Sequence, residues 1–538
     1  MTRLCIALSI GLIVSATAAL QHEHGGPEKL GSVHFATSCA AAAQPAFNRG
    51  VALLHSFEFR SAIEAFDDTL KIDPSCSIAY WGIALSRWGN PFAAGIRPAA
   101  QIAQGAQATE AAGKTAAKTD RERDYVGAVA HLFANASTTD QLTRIGAYRD
   151  AMAAVASKYP DDTEASIFYA LSLAASADPS DKTYASQLKA GELLERLVAR
   201  LPDHPGLTHY IIHSYDLPPL APRALEAARR YSTIAPSAPH ALHMPSHTFT
   251  RVGYWQESID SNIASAAVAR RIGATAEELH ATDYQTYAYL QTAQDRAARK
   301  ALDSLPEIAA RFDPDAIGSA APGSAGVFAL AAIPARYALE RGDWSAAASL
   351  EPRPSRFPYT EAMIYFARAL GAARLADAAT AKAAVDSLQQ LHDRLAQANE
   401  MYWAEQVEIQ RRGAAAWLAL AEGRRTDALD GMRTAAERED RTEKNAVTPG
   451  PLAPARELLG EMLLQMNEAA QALKEFEATL TKEPNRFRAV VGAMKAAAAS
   501  GNRAAASTYA GQLVKICVRA DKPERPDLRE ARRIIGSR

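Results

Sequence analysis

The chain has 538 residues, too many for one hydrophobic core, so several domains or an array of repeats is expected. Its 59 Lys and Arg balance 60 Asp and Glu, with no long basic run, which excludes an electrostatic case for nucleic acid. Aromatics are few, alanine is abundant and β-branched runs are rare, so helix is expected and sheet is not.

Residues 1–19 read as a signal peptide: Arg3, an apolar stretch from Leu4 to Val14, then small residues with cleavage after Ala18 or Ala19. The mature chain is therefore expected to be exported, periplasmic or secreted. No later run reaches the roughly 20 apolar residues of a membrane span. An N-terminal extension follows over 20–45. Cleavage after Ala19 makes His22 the third residue, a pattern suited to square-planar copper(II) or nickel(II), although a disordered tail is the favoured reading. Export permits disulfides. Cys39 and Cys76 flank a predicted helical hairpin and are paired here, which leaves Cys517 as a free thiol.

Helical units are predicted over 46–160, 161–312, 328–442 and 454–538, with a linker at 313–327 and a loop at 443–453. Within them one frame repeats. Gly50 precedes Ala62 by twelve residues, Phe66 follows four later, and Pro74 closes the unit. Gly460, Ala472, Phe476 and Pro484 repeat it, and looser copies surround Ala190, Leu194 and Pro202 and Ala224, Ala228 and Pro236. Small residues let two helices approach, the large apolar residue fills the gap to the next unit, and proline stops the second helix. This frame resembles the tetratricopeptide repeat, with about ten units, and implies an all-α helix-turn-helix solenoid. Residues 81–160 are helical by pattern but fit the frame poorly.

Histidine is concentrated in the middle of this frame. Six of the 13 lie between residues 209 and 280. In the unit starting at Pro205, His209 and His213 are the fifth and ninth residues and Asp216 the twelfth. In the unit starting at Pro239, His240, His243 and His247 are second, fifth and ninth, and Arg251 is thirteenth. In the next, His280, Asp283 and Tyr287 take the second, fifth and ninth places, with Tyr284 beside them. The resemblance implies that these positions line the concave groove where such arrays bind ligands. Neighbouring helices lie about 8–10 Å apart. The i, i+4 pairs His209/His213 and His243/His247 are therefore expected to meet as one four-nitrogen cage for a transition metal: zinc, copper, iron or nickel. His240, Arg251, His280 and Tyr287 are expected around a bound ligand. Asp216, Asp283, Tyr284 and Tyr287 are the candidates for further ligands or catalytic groups.

Pro245 falls between two of these histidines and predicts a kink. His55 holds a similar place in the first unit and reads as structural. No HExxH motif, glycine-rich phosphate loop or serine-nucleophile elbow is present, so no nucleotide cofactor is expected. The segment running from "THYIIHSYD" through "APHALHMPSHTFTRVGYWQESIDSN" to "HATDYQTYAYLQ" resembles secreted bacterial tetratricopeptide proteins sharing this stripe. Two functions remain open on the sequence. One is a metal-binding groove acting on a small ligand or peptide, by hydrolysis or by redox chemistry. The other is a non-catalytic scaffold holding a protein or peptide partner.

Overall fold

A computed structural model describes residues 28–93 and 95–536. The predicted signal peptide and His22 lie outside the described residues. Among the described residues every regular element is a helix, and helices pack mainly against those one or two places away in the chain. That nearest-neighbour pattern defines a solenoid. The chain is an all-α, tetratricopeptide-type array. No helix among the described residues is long and apolar enough to cross a membrane.

The repeat frame has a steric basis. Phe66, on the helix Phe59–Ile72, is fully buried between the helices Gln44–His55 and Ser77–Trp88. A methyl group added to Gly82 would stand 2.3 Å from its ring. Phe476 does the same near the other end, where a methyl on Gly492 would come within 2.2 Å. The aromatic ring is thus the spacer between units, and glycine is the only residue that accepts it at that height.

The segment that fits the frame poorly still forms helices, Ala99–Thr115, Asp120–Ala130 and Gln141–Lys158. Local capping helps to start the latter two and the next. The side chains of Thr119, Asp140 and Asp162 accept the backbone N–H of Glu122, Thr143 and Ala165. Cys39 and Cys76 are bonded, with their Cα atoms 5.0 Å apart. Cys517 is a buried free thiol whose pKa is pushed up to about 12 by burial.

The open groove expected beside the histidines is roofed by the chain itself. The irregular stretch around 443–453 lies across the central helices. Tyr284 Oη is 3.0 Å from the Ala446 carbonyl and 3.1 Å from that of Thr448. Lys444 reaches Asp216 at 3.3 Å, and Arg336 donates to the Gly450 carbonyl at 2.8 Å. A second stretch, residues 312–322, closes the other side. There Asn90 donates to the Ala320 carbonyl at 3.0 Å and the Ala321 N–H to Glu277 at 2.6 Å. A repeat pattern tells which residues face inward. It carries no information on which distant segment returns to cover them.

Candidate metal centre

Four helices supply the six histidines. Pro205–Ser214 carries His209 and His213. Pro239–His243 and Pro245–Arg251 carry His240, His243 and His247, and Thr275–Gln291 carries His280. Pro205 and Pro239 stand at first helical positions, where the missing N–H costs nothing. Pro245 interrupts the hydrogen-bond ladder and divides the helix in two, while Met244 between the halves keeps helical angles (φ −53°, ψ −36°). His243 and His247 therefore stay on one face.

The histidines do not form the single four-nitrogen cage expected. They divide three and three: His209 with His213 and His240, and His243 with His247 and His280, each set offering nitrogens within 4.8 Å of one another. Each set takes an i, i+4 pair from one helix and one imidazole from the following unit. His240 and His280, expected at the ligand, thus stand among the nitrogens. The two sets adjoin, with ring centroids 6.1 Å apart for His213–His247 and for His240–His243. Register along a helix fixes a residue's face, whereas the stagger between helices decides which heights meet.

Hydrogen bonding fixes the tautomers. His247 Nδ1 lies 2.9 Å from a carboxylate oxygen of Asp216, which only accepts, so Nδ1 carries the proton. His243 Nδ1 lies 2.7 Å from Asn262 Oδ1, whose amide nitrogen is committed to the Ser258 carbonyl at 2.7 Å, so this Nδ1 also donates. Both Nε2 atoms then present lone pairs, and they face each other at 3.1 Å. In the other set His209 Nδ1 donates to the His55 carbonyl at 2.6 Å, and its Nε2 faces His240 Nε2 at 3.2 Å. Two nitrogens bound at about 2.0–2.1 Å to one ion stand about 3.1–3.6 Å apart. His213 Nε2 and His280 Nδ1 are buried and have no hydrogen-bond partner. Unpaired buried nitrogens are costly unless something binds them.

Electrostatics keep the imidazoles neutral. Burial, reinforced by the neighbouring imidazoles, holds His209, His213, His243 and His280 well below the usual histidine pKa. Burial brings His247 down to about 4, against the opposing pull of Asp216. Burial would raise Asp216, but Lys444, Arg251 and His247 outweigh it and hold its carboxyl well below the carboxylate range. Lys444 is itself lowered by burial to about 8.

The remaining sequence candidates separate from the imidazoles by what they touch. Asp216 is committed to His247, to Arg251 at 2.8 Å and to Lys444, so it orients a histidine and offers no free ligand oxygen toward the sets. Arg251 is held by that same carboxylate and by the Asp216 carbonyl at 2.8 Å. Asp283 is buried against Arg336 at 2.9 Å and joins neither set. Tyr284 packs on His243, His247 and His280, with ring centroids 4.8, 4.9 and 5.2 Å away. Tyr287 points away, donating to Glu483 at 2.8 Å and receiving Arg486 at 2.9 Å. The ninth position of its unit thus packs against the C-terminal repeats.

Sequence reasoning missed Asn262, which lies nineteen residues beyond His243 without any motif. His55, read as structural, orients His209 through its carbonyl. A third polar group, His55, Glu164 and His204, differs in kind. Both Nε2 atoms are spent on the carboxylate, at 2.9 and 3.0 Å, and His55 Nδ1 is spent on Tyr210 at 3.0 Å. This group is a hydrogen-bonded brace behind the first set.

A small cavity of about 30 Å³ opens directly on His213, His240, His247 and His280. It is also lined by Tyr359 and Trp403, stacked with centroids 4.0 Å apart and planes 12° apart. These two rings also line a larger neighbouring cavity of about 110 Å³.

No known family pattern matches the chain, and no curated protein matches it. Among solved structures it is similar to a human IFIT1 dimer with m7Gppp-AAAA (TM-score 0.36, 11% identity, covering 87% of this chain and 95% of that one). It is also similar to the APC/C hetero-tetramer Cut9–Hcn1 (TM-score 0.26, 12% identity, covering 93% and 96%). Similarity at this level carries no argument about ligand, partner or reaction.

Proposed function

We propose that this is an exported metalloprotein whose six central histidines hold two transition-metal ions, three imidazoles to each, and present them to a small ligand in the adjoining cavity. The observation that carries the reading is the pair of lone pairs on His243 Nε2 and His247 Nε2, opposed at 3.1 Å. A cation between them turns that repulsion into bonding, and their depressed basicity makes a metal ion a better occupant than a proton near neutrality. The unpartnered His213 Nε2 and His280 Nδ1 supply a further nitrogen to each ion. Acceptors that orient metal-binding imidazoles commonly include carboxylates, amide oxygens and backbone carbonyls, as Asp216, Asn262 and His55 do here. Three protein ligands leave each ion an open position for water or substrate. Export is supported by the leader-like first residues and by the Cys39–Cys76 bond, which persists in an oxidising compartment.

The scaffold reading is less well served. The two covering stretches occupy the concave face that a peptide would need. The test is elemental analysis of untagged protein dialysed against zinc or copper. Two ions per chain are expected, falling to one in His213→Ala and in His280→Ala. His204→Gln is expected to retain both. No retained metal, or metal content unaffected by the first two substitutions, would remove the proposal.

A further inference from the structure

Resting on the two-ion site proposed above, we infer that the two ions form one dinuclear copper centre that reduces dioxygen with electrons from a small phenolic donor. The charge of the donor set, the contact between the two sets and the shared cavity with its aromatic side lead there.

The donor set is six neutral nitrogens. No carboxylate belongs to either histidine group. Asp216 is committed to His247, Arg251 and Lys444, Asp283 binds Arg336, and Glu277 accepts the Ala321 N–H with one oxygen while the other, without a hydrogen bond, stands 3.9 Å from His240 Nδ1. Two divalent ions would leave four positive charges in a buried shell without an anionic protein ligand, which low dielectric makes costly. Copper(I) halves that charge, and imidazole suits copper. Once oxidised to copper(II), the pair needs an anion, and reduced dioxygen is that anion.

The two sets touch. The His213 and His247 rings, and the His240 and His243 rings, stand 6.1 Å apart across the boundary. His213 and His240 from one set and His247 and His280 from the other line a single cavity. A small molecule entering it meets both ions. Tyr359 and Trp403, buried and stacked on each other, line the same cavity and give it an aromatic side for a planar guest.

The electron count closes. Two copper(I) ions give one electron each, and dioxygen becomes peroxide between two copper(II) ions. A catechol gives two electrons and two protons and leaves as the quinone. A second catechol restores copper(I), so two catechols and one dioxygen give two quinones and two waters. The O–O bond breaks as the third and fourth electrons arrive.

The experiment loads the full chain anaerobically with copper(I), titrates dioxygen and follows absorbance, oxygen uptake and electron spin resonance, then adds 4-methylcatechol. Expected are one dioxygen per two coppers, a copper(II) state with little spin signal because the ions couple, and catalytic quinone formation. His243→Ala is expected to keep one copper and lose uptake. Trp403→Ala is expected to keep the oxygen stoichiometry and raise the KM for 4-methylcatechol about tenfold. Two bound coppers that give two isolated copper(II) signals and no stoichiometric uptake would overturn the dinuclear inference and leave metal binding standing. An unchanged KM in Trp403→Ala would overturn the assigned wall. Absence of copper binding would remove both proposals.

Discussion

Asp216 and His247 meet across two repeat units, the carboxylate accepting the Nδ1 proton at 2.9 Å and turning Nε2 toward His243. The same carboxylate neutralises Arg251 and Lys444, so one acidic side chain fixes a tautomer, a helix and a covering loop together.

Asp216→Asn is therefore expected to weaken the His243, His247 and His280 site by about 10–100-fold while sparing the other. It also leaves two buried cations without their counter-charge, which costs about 3 kcal/mol. Metal titration followed by a thermal melt checks both. An equal loss at the two sites would contradict the assigned role.

In metal-free protein, acid is expected to destabilise in a defined window. Histidine in the unfolded chain takes up protons near pH 6.5. In the fold, His209, His213, His243 and His280 resist protonation, and His247 does so down to about 4. Folded pKa values below the unfolded one give stability that is complete above pH 6.5 and lost as pH falls toward 4. Metal release is expected in the lower part of that window, later than an unperturbed imidazole would give. Melting temperature measured against pH in the presence of a chelator is the check, and a flat profile across the window would contradict it.

The repeat architecture was legible because its signal is steric and local. Phe66 and Phe476 need glycine opposite them, and Gly50 and Gly460, the glycines of the repeat frame, are two of those positions. The histidine stripe was legible for the same reason, since His209 and His213 recur 34 residues on as His243 and His247. The partition into threes was not. His240 and His280 are 40 residues apart, the intervening helix Trp255–Ile272 being long, and repeat register alone does not give their heights. Tyr287 shows the same limit, because the C-terminal repeats that claim its hydroxyl are far away in sequence.

Glu164 sits between His55 and His204, all three buried. Glu164→Ala is expected to cost about 3–5 kcal/mol by leaving buried polar groups without their partner. Denaturant unfolding measures this loss. Unchanged stability would show that the brace is dispensable, and Glu164→Gln, which keeps the shape, is expected to lose less.

Reduction of Cys39–Cys76, 37 residues apart, opens a loop between the first helical pair and the extension before it. A loss of about 3 kcal/mol is expected. Mass spectrometry of protein from the exported fraction is expected to find the pair oxidised and Cys517 free. Two free thiols at Cys39 and Cys76 there would contradict the assignment.

The most direct test of the central claim is anomalous diffraction at the metal edge from crystals of the copper- or zinc-loaded protein. Two peaks per chain are predicted, one among the nitrogens of His209, His213 and His240 and one among those of His243, His247 and His280. A single peak shared by His209, His213, His243 and His247, or no peak beside these imidazoles, would contradict the account.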